Sequence, residues 1–243
     1  MKFLVVGESC RDIFHYGNCT RMCPEAPVPI FNSIETKENG GMAKNVQRNL
    51  AALGCEADLY TNRNWKNITK TRFIDVRSNH MFMRLDVNDE QIKRSSLKKI
   101  NFSIYSGIII SDYNKGFLTE EDVQYISEHH SNTFLDTKKI LGDWCSGVRF
   151  IKINDEEFQK SKKFINNEMY SKIIVTLGPD GAMHNDIIYS VPAVEIKDPS
   201  GAGDTFVAAY AKKFIENENI EDAIGFANSC ATQVVQKKGV STV

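Results

Sequence analysis

The chain has 243 residues, with 30 Lys plus Arg against 31 Asp plus Glu and a net charge of −1. That balance, with no basic stripe, argues against nucleic acid as the main partner, and the length allows one large domain with a substantial core. The opening apolar run, Phe3 to Val6, is too short for a signal peptide or a membrane span, so a cytoplasmic location is expected; the six cysteines form no Cys-x-x-Cys pair and read as reduced, packed thiols.

Lys2–Val6 is a buried-type strand ending in Gly7-Glu8-Ser9. Asp12 follows just beyond, where ligands gather in open α/β sheets, and reads either as a ligand-facing acid or as a solvated loop acid. The segment Thr20-Arg21-Met22-Cys23-Pro24-Glu25-Ala26-Pro27-Val28-Pro29 cannot be helix, because its prolines admit only edge or extended backbone. With the strand-like Val28–Ile34 it suggests a stiff flap outside the main sheet. Gly40-Gly41-Met42-Ala43-Lys44-Asn45-Val46 opens a helix that runs to Leu53-Gly54, with Val46, Leu50 and Leu53 on one face. The glycine pair lets backbone approach a ligand, and Asn45 can hydrogen-bond its polar groups.

Ala57–Thr61 is a strand, and Thr71–Val76 and Met81–Val87 read as a pair. Ile104–Ser111 has the composition of a central parallel strand and ends in Ser111-Asp112-Tyr113-Asn114-Lys115-Gly116, a polar cluster at a strand's carboxyl end. A helix capped by Thr119 runs to His130. Strands Thr133–Leu135 and Phe150–Ile153 lead into Asp136-Thr137-Lys138 and Asn154-Asp155-Glu156-Glu157. On their own, Asn154 and Glu157 are an N-cap and a capping-box acid. Lys172–Leu177 ends in Gly178-Pro179-Asp180-Gly181, a hairpin spans Ala182 to Val194, and a last helix runs from Ile220 to about Lys237 with Ile224, Ala227, Ala231 and Val234 on one face.

Before that helix stands Asp198-Pro199-Ser200-Gly201-Ala202-Gly203-Asp204-Thr205-Phe206, followed by apolar Val207, Tyr210 and Phe214. Small residues let an anion reach the backbone, and the free N–H groups and dipole of the following helix favour it there. Asp204 reads either as the helix N-cap or as a base taking a proton from an attacking hydroxyl beside a bound phosphoryl group. No G-x-x-x-x-G-K-[ST] occurs, and Phe206 stands where a dinucleotide fingerprint needs its third glycine.

The Gly201–Asp204 run resembles the G-A-G-D signature of the ribokinase-like (PfkB) sugar kinases, and Gly40-Gly41 with Asn45 resembles that family's first signature. Arg84-Leu85-Asp86 resembles its R-x-D, Asn154 with Glu157 its N-x-x-E, and Thr176, Gly178 and Gly181 its T-x-G-x-x-G. The Arg21–Pro29 segment and Ser111–Gly116 are similar to those of bacterial heptose 7-phosphate kinases, the kinase half of ADP-heptose synthases, with Cys23 where that group usually has Ser.

The resemblance implies an α/β, three-layer α/β/α fold with a mainly parallel sheet, one domain over residues 1–243 and a β lid from about 20–36 and 71–87. It implies transfer of the γ-phosphoryl of ATP to a sugar hydroxyl, most specifically O1 of a heptose 7-phosphate, with other kinases of the family (ribose, fructose, nucleoside) or a non-catalytic binding relic as rivals. Asp204 would be the base and Gly201, Ala202 and Gly203 the anion hole. Asp12, Glu25, Gly40, Gly41, Asn45, Arg84, Lys115 and Lys138 would serve the sugar phosphate, Thr176, Gly178, Gly181 and Asn228 the ATP. Asn154 and Glu157, one helical turn apart, would serve Mg²⁺. A homodimer through the lid and a separate nucleotidyltransferase are the expected partners. The short stretch Asn62 to Lys70 leaves no room for a further strand–helix unit, so a trimmed sheet edge is expected there.

Overall fold

Alternate residues of a strand point to opposite faces of a sheet, and the apolar runs of this chain supply both faces. In the first strand, Phe3 and Val5 enter one hydrophobic cluster, while Leu4 and Val6 enter the other. Such double burial is what a parallel sheet covered by helices requires.

The computed structural model describes residues 1–243. In chain order its elements are β1 (Lys2–Gly7), β2 (Ser9–Met22), β3 (Pro29–Met42), α1 (Ala43–Ala52), β4 (Glu56–Tyr60), β5 (Thr69–Asp75), β6 (Met81–Val87), β7 (Gly107–Asp112), α2 (Glu120–His129), β8 (Thr133–Thr137), β9 (Phe150–Asn154), α3 (Asp155–Ser161), α4 (Asn167–Tyr170), β10 (Ile173–Thr176), β11 (Ala182–His184), β12 (Ile187–Tyr189), α5 (Ala202–Asn217) and α6 (Ile220–Val235). The main sheet has the order β12-β11-β10-β9-β8-β7-β1-β4. It is parallel from β4 to β10 and closes with the antiparallel pair β11 and β12. Helices α1, α5 and α6 cover one face around Val46, Phe206, Tyr210 and Ile224; α2, α3 and α4 cover the other around Ile126, Phe158 and Met169. The short edge strand β4 is followed directly by the chain's passage to the second sheet.

That second sheet, β3-β2-β5-β6, includes the residues expected to form a lid and is called the lid here. It takes in residues 20–36 and 71–87, and in addition the whole of β2, a 14-residue strand whose alternation of buried and half-buried residues makes it the sheet's spine. Its inner face carries buried Asp12, Phe14 and Tyr16. Its outer face exposes Ile34, Met83 and Leu85.

Several boundaries differ from the sequence reading. Asp12 is not in a loop but inside β2, buried. Gly40 and Gly41 do not open the helix; they end β3, and α1 starts at Ala43 behind Met42, whose φ is 60°. Gly41 has a steric reason: a Cβ there would lie 2.9 Å from Cys10 Sγ and 3.1 Å from Asp12 Oδ2. The central strand starts at Gly107, because Phe102–Ile104 forms a 3-10 turn.

Body and lid are joined side by side. The chain enters the lid at Glu8–Ser9 and returns at Met42–Ala43, and Ala43 N–H donates to Glu8 O at 2.8 Å.

Candidate active site

Gly201 is the N-cap of α5 at φ 84° and ψ 0°, a left-handed conformation that suits glycine. A Cβ there would also sit 2.8 Å from Asn45 Nδ2. The Ala202 N–H is used by Pro199 O, but the N–H groups of Gly201, Gly203 and Asp204 make no bond within the chain. Three donors at the head of a 16-residue helix therefore remain to meet an anion. The expected contribution of Ala202 N–H is corrected by that turn; Asp204 N–H stands in for it.

Asp204 is not the N-cap. It is the third residue of α5, and its carboxylate makes no capping bond to the helix N–H groups. Asn45 Nδ2 of α1 donates to Oδ2 at 2.9 Å, and the Tyr113 hydroxyl donates to Oδ1 at 2.9 Å. Asp204 is 5% exposed. Burial pushes its carboxyl up to about 6, reinforced by the charge of Asp136 and opposed by Asn45, Tyr113 and Lys152. A carboxylate so placed is ionised near neutrality and basic enough to accept a proton. The Tyr113 phenol is pushed well above its ordinary value, by burial first and by Asp204 next, so it acts as a donor.

Below the loop, Lys152 Nζ of β9 pairs with Asp136 of β8 at 3.1 Å, both nearly buried. The same ammonium lies 2.7 Å from where a Cβ on Gly203 would stand. A cation thus touches the anion loop from the sheet side, and Gly203 leaves it room.

On the lid side, Asp12 is ion-paired with Arg72 of β5, and burial raises the Asp12 carboxyl against the pull of that guanidinium. Arg72 stands opposite Arg84 of β6 in register, so both lie on the inner face. Arg84 also reaches Asp86 at 2.8 Å. Lys115 pairs with Asp89 at 2.6 Å, and Lys70 approaches the same carboxylate at 3.5 Å. Glu25 stands exposed in the turn that joins β2 and β3, at the lid tip. The buried Oδ1 of Asn45 has no partner in the chain, an acceptor free for a hydroxyl.

On the other side of the Gly201 loop lies a cleft of about 470 Å³. Thr176, Gly178, Gly181 and Asn228 line it together with Ala202, Gly203, Val194, Ile196, Ala231 and Val235. Gly178 and Gly181 have φ of 61° and 93°, which the turn demands. Mostly apolar walls with a few polar atoms suit a nucleobase and ribose. Asn228 Nδ2 donates to Tyr189 O at 2.7 Å and so ties α6 to β12.

Asn154 and Glu157 form a complete capping box at the start of α3: Glu157 N–H donates to Asn154 Oδ1 at 2.8 Å and Asn154 N–H to Glu157 Oε2 at 2.8 Å. Glu157 Oε1 accepts from Asn154 Nδ2 at 3.0 Å and from Lys138. Burial works to lower Lys138, but Asp136, Glu157 and Asp204 together raise it above its ordinary value. No three acidic, His or Cys groups converge to cage an ion. One carboxylate and one amide fit Mg²⁺ only as it is usually held, through its own waters and phosphate oxygens.

The structure thus unites Asp204, Gly201, Gly203 and Asn45, sets the lid charges on one side and the cleft on the other. Four residues to which the sequence assigned no role belong here: Glu8, Arg72, Tyr113 and Lys152. Lys152 carried a signal, as a charge inside the apolar strand Phe150–Asn154; Tyr113 stood in the Ser111–Gly116 motif.

Fold and site together define a phosphotransferase with an alcohol group as acceptor, on a ribokinase-like frame. Residues 66–243 match the pfkB family carbohydrate kinase model, and the chain belongs to that family. It is 30% identical to the bifunctional protein HldE of Sulfurimonas denitrificans over 297 aligned positions, covering 100% of this chain and 62% of that protein. To the bifunctional protein HldE of Nitratiruptor sp. it is 28% identical, covering 99% and 63%. The chain therefore spans less than two thirds of the length of these relatives. Among solved structures, the ribokinase of Thermotoga maritima superimposes with a TM-score of 0.70 at 16% identity, covering 98% of this chain and 94% of that one. Arabidopsis thaliana ribokinase complexed with ribose and ATP gives 0.68 at 15%, covering 98% and 93%. At such identity the likeness speaks for the fold.

Proposed function

We propose that the chain is an ATP-dependent kinase of a heptose 7-phosphate, phosphorylating O1 to give the 1,7-bisphosphate. The observation that carries a kinase reading is the position of Asp204: buried, clamped by two donors, and in the same first turn as the three free N–H groups, its own among them, between the cleft and the lid. The sugar assignment is supported by the Arg21–Pro29 and Ser111–Gly116 segments, by the similarity to the HldE proteins, and by the inner-face cations Arg72 and Arg84, with Lys115 near the lid. A dianion at the sugar's far end needs such cations; Arg takes phosphate bidentately and Lys as a point charge.

In the mechanism, Asp204 accepts the O1 proton as O1 bonds to the γ-phosphorus in line with the departing ADP oxygen. The N–H groups of Gly201, Gly203 and Asp204, with Lys152 behind them, hold the transferring charge. Asn45 fixes the base and offers Oδ1 to the sugar. The lid, closing over the sugar, excludes water. Mg²⁺, which Asn154 and Glu157 would hold, neutralises phosphate charge when bound. The exposed outer lid face offers a homodimer contact, and a nucleotidyltransferase would use the product. No helix is long and apolar enough to cross a membrane.

The test is turnover with ATP against a panel of heptose 7-phosphate, unphosphorylated heptose, ribose, fructose and nucleosides. Preference for an unphosphorylated sugar sinks the heptose 7-phosphate assignment and leaves a sugar kinase. Binding without turnover on every member supports the non-catalytic rival.

A further inference from the structure

The loop after β7 is built to receive an anion, and the chain fills it with its own. Asn114 and Gly116 have φ of 56° and 89°, so the N–H groups of the alternating residues 113, 115 and 117 converge. Into that nest projects Glu8, fully buried at the end of β1. Its Oε2 accepts from Tyr113 N–H at 2.9 Å; its Oε1 accepts from Lys115 N–H at 3.0 Å and Phe117 N–H at 3.3 Å. The residue gripped most closely is the one whose hydroxyl meets Asp204 Oδ1.

We propose that Glu8 is a positioning residue for phosphoryl transfer: by holding the 113–117 loop it seats the Tyr113 hydroxyl on Asp204, and Tyr113 with Asn45 fixes the plane of that carboxylate. The inference rests on Asp204 as the base. A carboxylate held by both oxygens keeps one orientation toward the acceptor hydroxyl, and small misplacement of a reacting group costs rate steeply.

Charge and positioning predict opposite signs. The groups facing Asp204 are Asn45 of α1, Tyr113 of the loop, Asp136 of β8, Lys152 of β9 and Lys138. If Glu8 acted only as a nearby negative charge, Glu8→Gln would lower the proton affinity of Asp204. If Glu8 seats Tyr113, the same change raises it, because a donor to the ionised form is lost. In Glu8→Gln the amide can still accept from two N–H groups with its oxygen, but its NH₂ then faces the Tyr113 N–H.

The experiment follows the ¹³C carboxyl signal of Asp204, in protein labelled at aspartate and assigned by its loss in Asp204→Asn, from pH 4 to 8. Tyr113→Phe is expected to raise the midpoint by about one pH unit, tenfold in proton affinity. Glu8→Gln is expected to raise it by no more than that, with faster exchange of the Tyr113 amide, and the double variant to go no further than Tyr113→Phe. With the sugar that the wild type phosphorylates, kcat should fall while KM for ATP holds. A lowered or unmoved midpoint in Glu8→Gln, or additive effects in the double variant, overturns the proposal. Should Glu8→Gln not fold, Gly116→Ala strains the same loop in open space; an upward shift there supports the proposal and no shift overturns it. Near-normal turnover in Asp204→Asn removes the base and the inference with it; an inactive Asp204→Asn beside unmoved midpoints in the other variants removes the inference alone.

Discussion

Replacing Asp204 with Asn should sharply reduce turnover and stabilise the protein. The unfolded carboxyl titrates near 3.8 and the folded one near 6. At about 1.4 kcal/mol per pH unit, keeping this buried group ionised costs roughly 3 kcal/mol. Asn removes that cost and keeps both contacts, but takes away the acceptor for the Tyr113 O–H. Its carbonyl can accept from Asn45 Nδ2, and its NH₂ can donate to the Tyr113 oxygen, which accepts as well as donates. The sign follows from linkage. Because the folded pKa lies above the unfolded one, the wild type is unpenalised below pH 3.8, loses stability as pH rises toward 6, and carries the full penalty above it. Asp204→Asn should therefore melt with the wild type near pH 4 and about 6–12 °C above it at pH 8, taking about 2–4 °C per kcal/mol for a chain this long. Turnover should drop by about 10²–10⁴-fold. Thermal unfolding at both pH values, beside a coupled ADP-release assay, checks it. A lower melting temperature at pH 8, or preserved turnover, refutes the reasoning.

Lys152→Met should raise KM for ATP and lower kcat, together about 10- to 100-fold in kcat/KM, since a charge-assisted bond to phosphate is worth about 1.5–3 kcal/mol; steady-state kinetics decide. Arg84→Met or Lys115→Met should raise KM for the phosphorylated sugar by about 10- to 100-fold with KM for ATP nearly unchanged; unchanged sugar KM in both ends the phosphate-site argument. Gly201→Ala, forced to hold φ 84° beside Asn45, should cost about 1–3 kcal/mol in denaturant unfolding and more in activity than in fold. Protease cleavage within residues 18–26 should slow when sugar saturates the protein; equal rates with and without sugar contradict lid closure.

The fold was legible because its signals are local. The apolar strands, the Thr119 cap and the α5 face announce themselves within a few residues, and β1, β8, β9, α2 and α6 fall within a few residues of their expected bounds. The family signatures marked Asn45 and Asp204, which the fold brings to 2.9 Å across a separation of 159 residues. What stayed hidden depends on pairing. Asp12 looks like a loop acid until β2 continues without a break into the lid and Arg72 arrives from β5. Glu8 looks like the end of a strand until a loop more than a hundred residues later closes on it. The capping readings divided: Asn154 and Glu157 do cap α3, whereas Asp204 caps nothing, because Gly201 holds that place and Asn45 and Tyr113 claim the carboxylate.

The paired crossing at Glu8–Ser9 and Met42–Ala43 has a consequence for modularity. These two joints of the β2–β3 ribbon lie within a few residues of groups around the base: Glu8 at one, Asn45 of α1 at the other. A lid on such joints is not an accessory that can be exchanged between kinases while the catalytic frame stays whole. Cutting the chain at the exposed tip near residue 25 severs only the turn between two paired strands, so a circular permutant opened there keeps both joints. Opening it at 8–9 or 42–43 instead cuts a joint beside Glu8 or Asn45 and loosens the clamp on Asp204. Substrate recognition and base alignment therefore share these joints, and altering one by grafting disturbs the other.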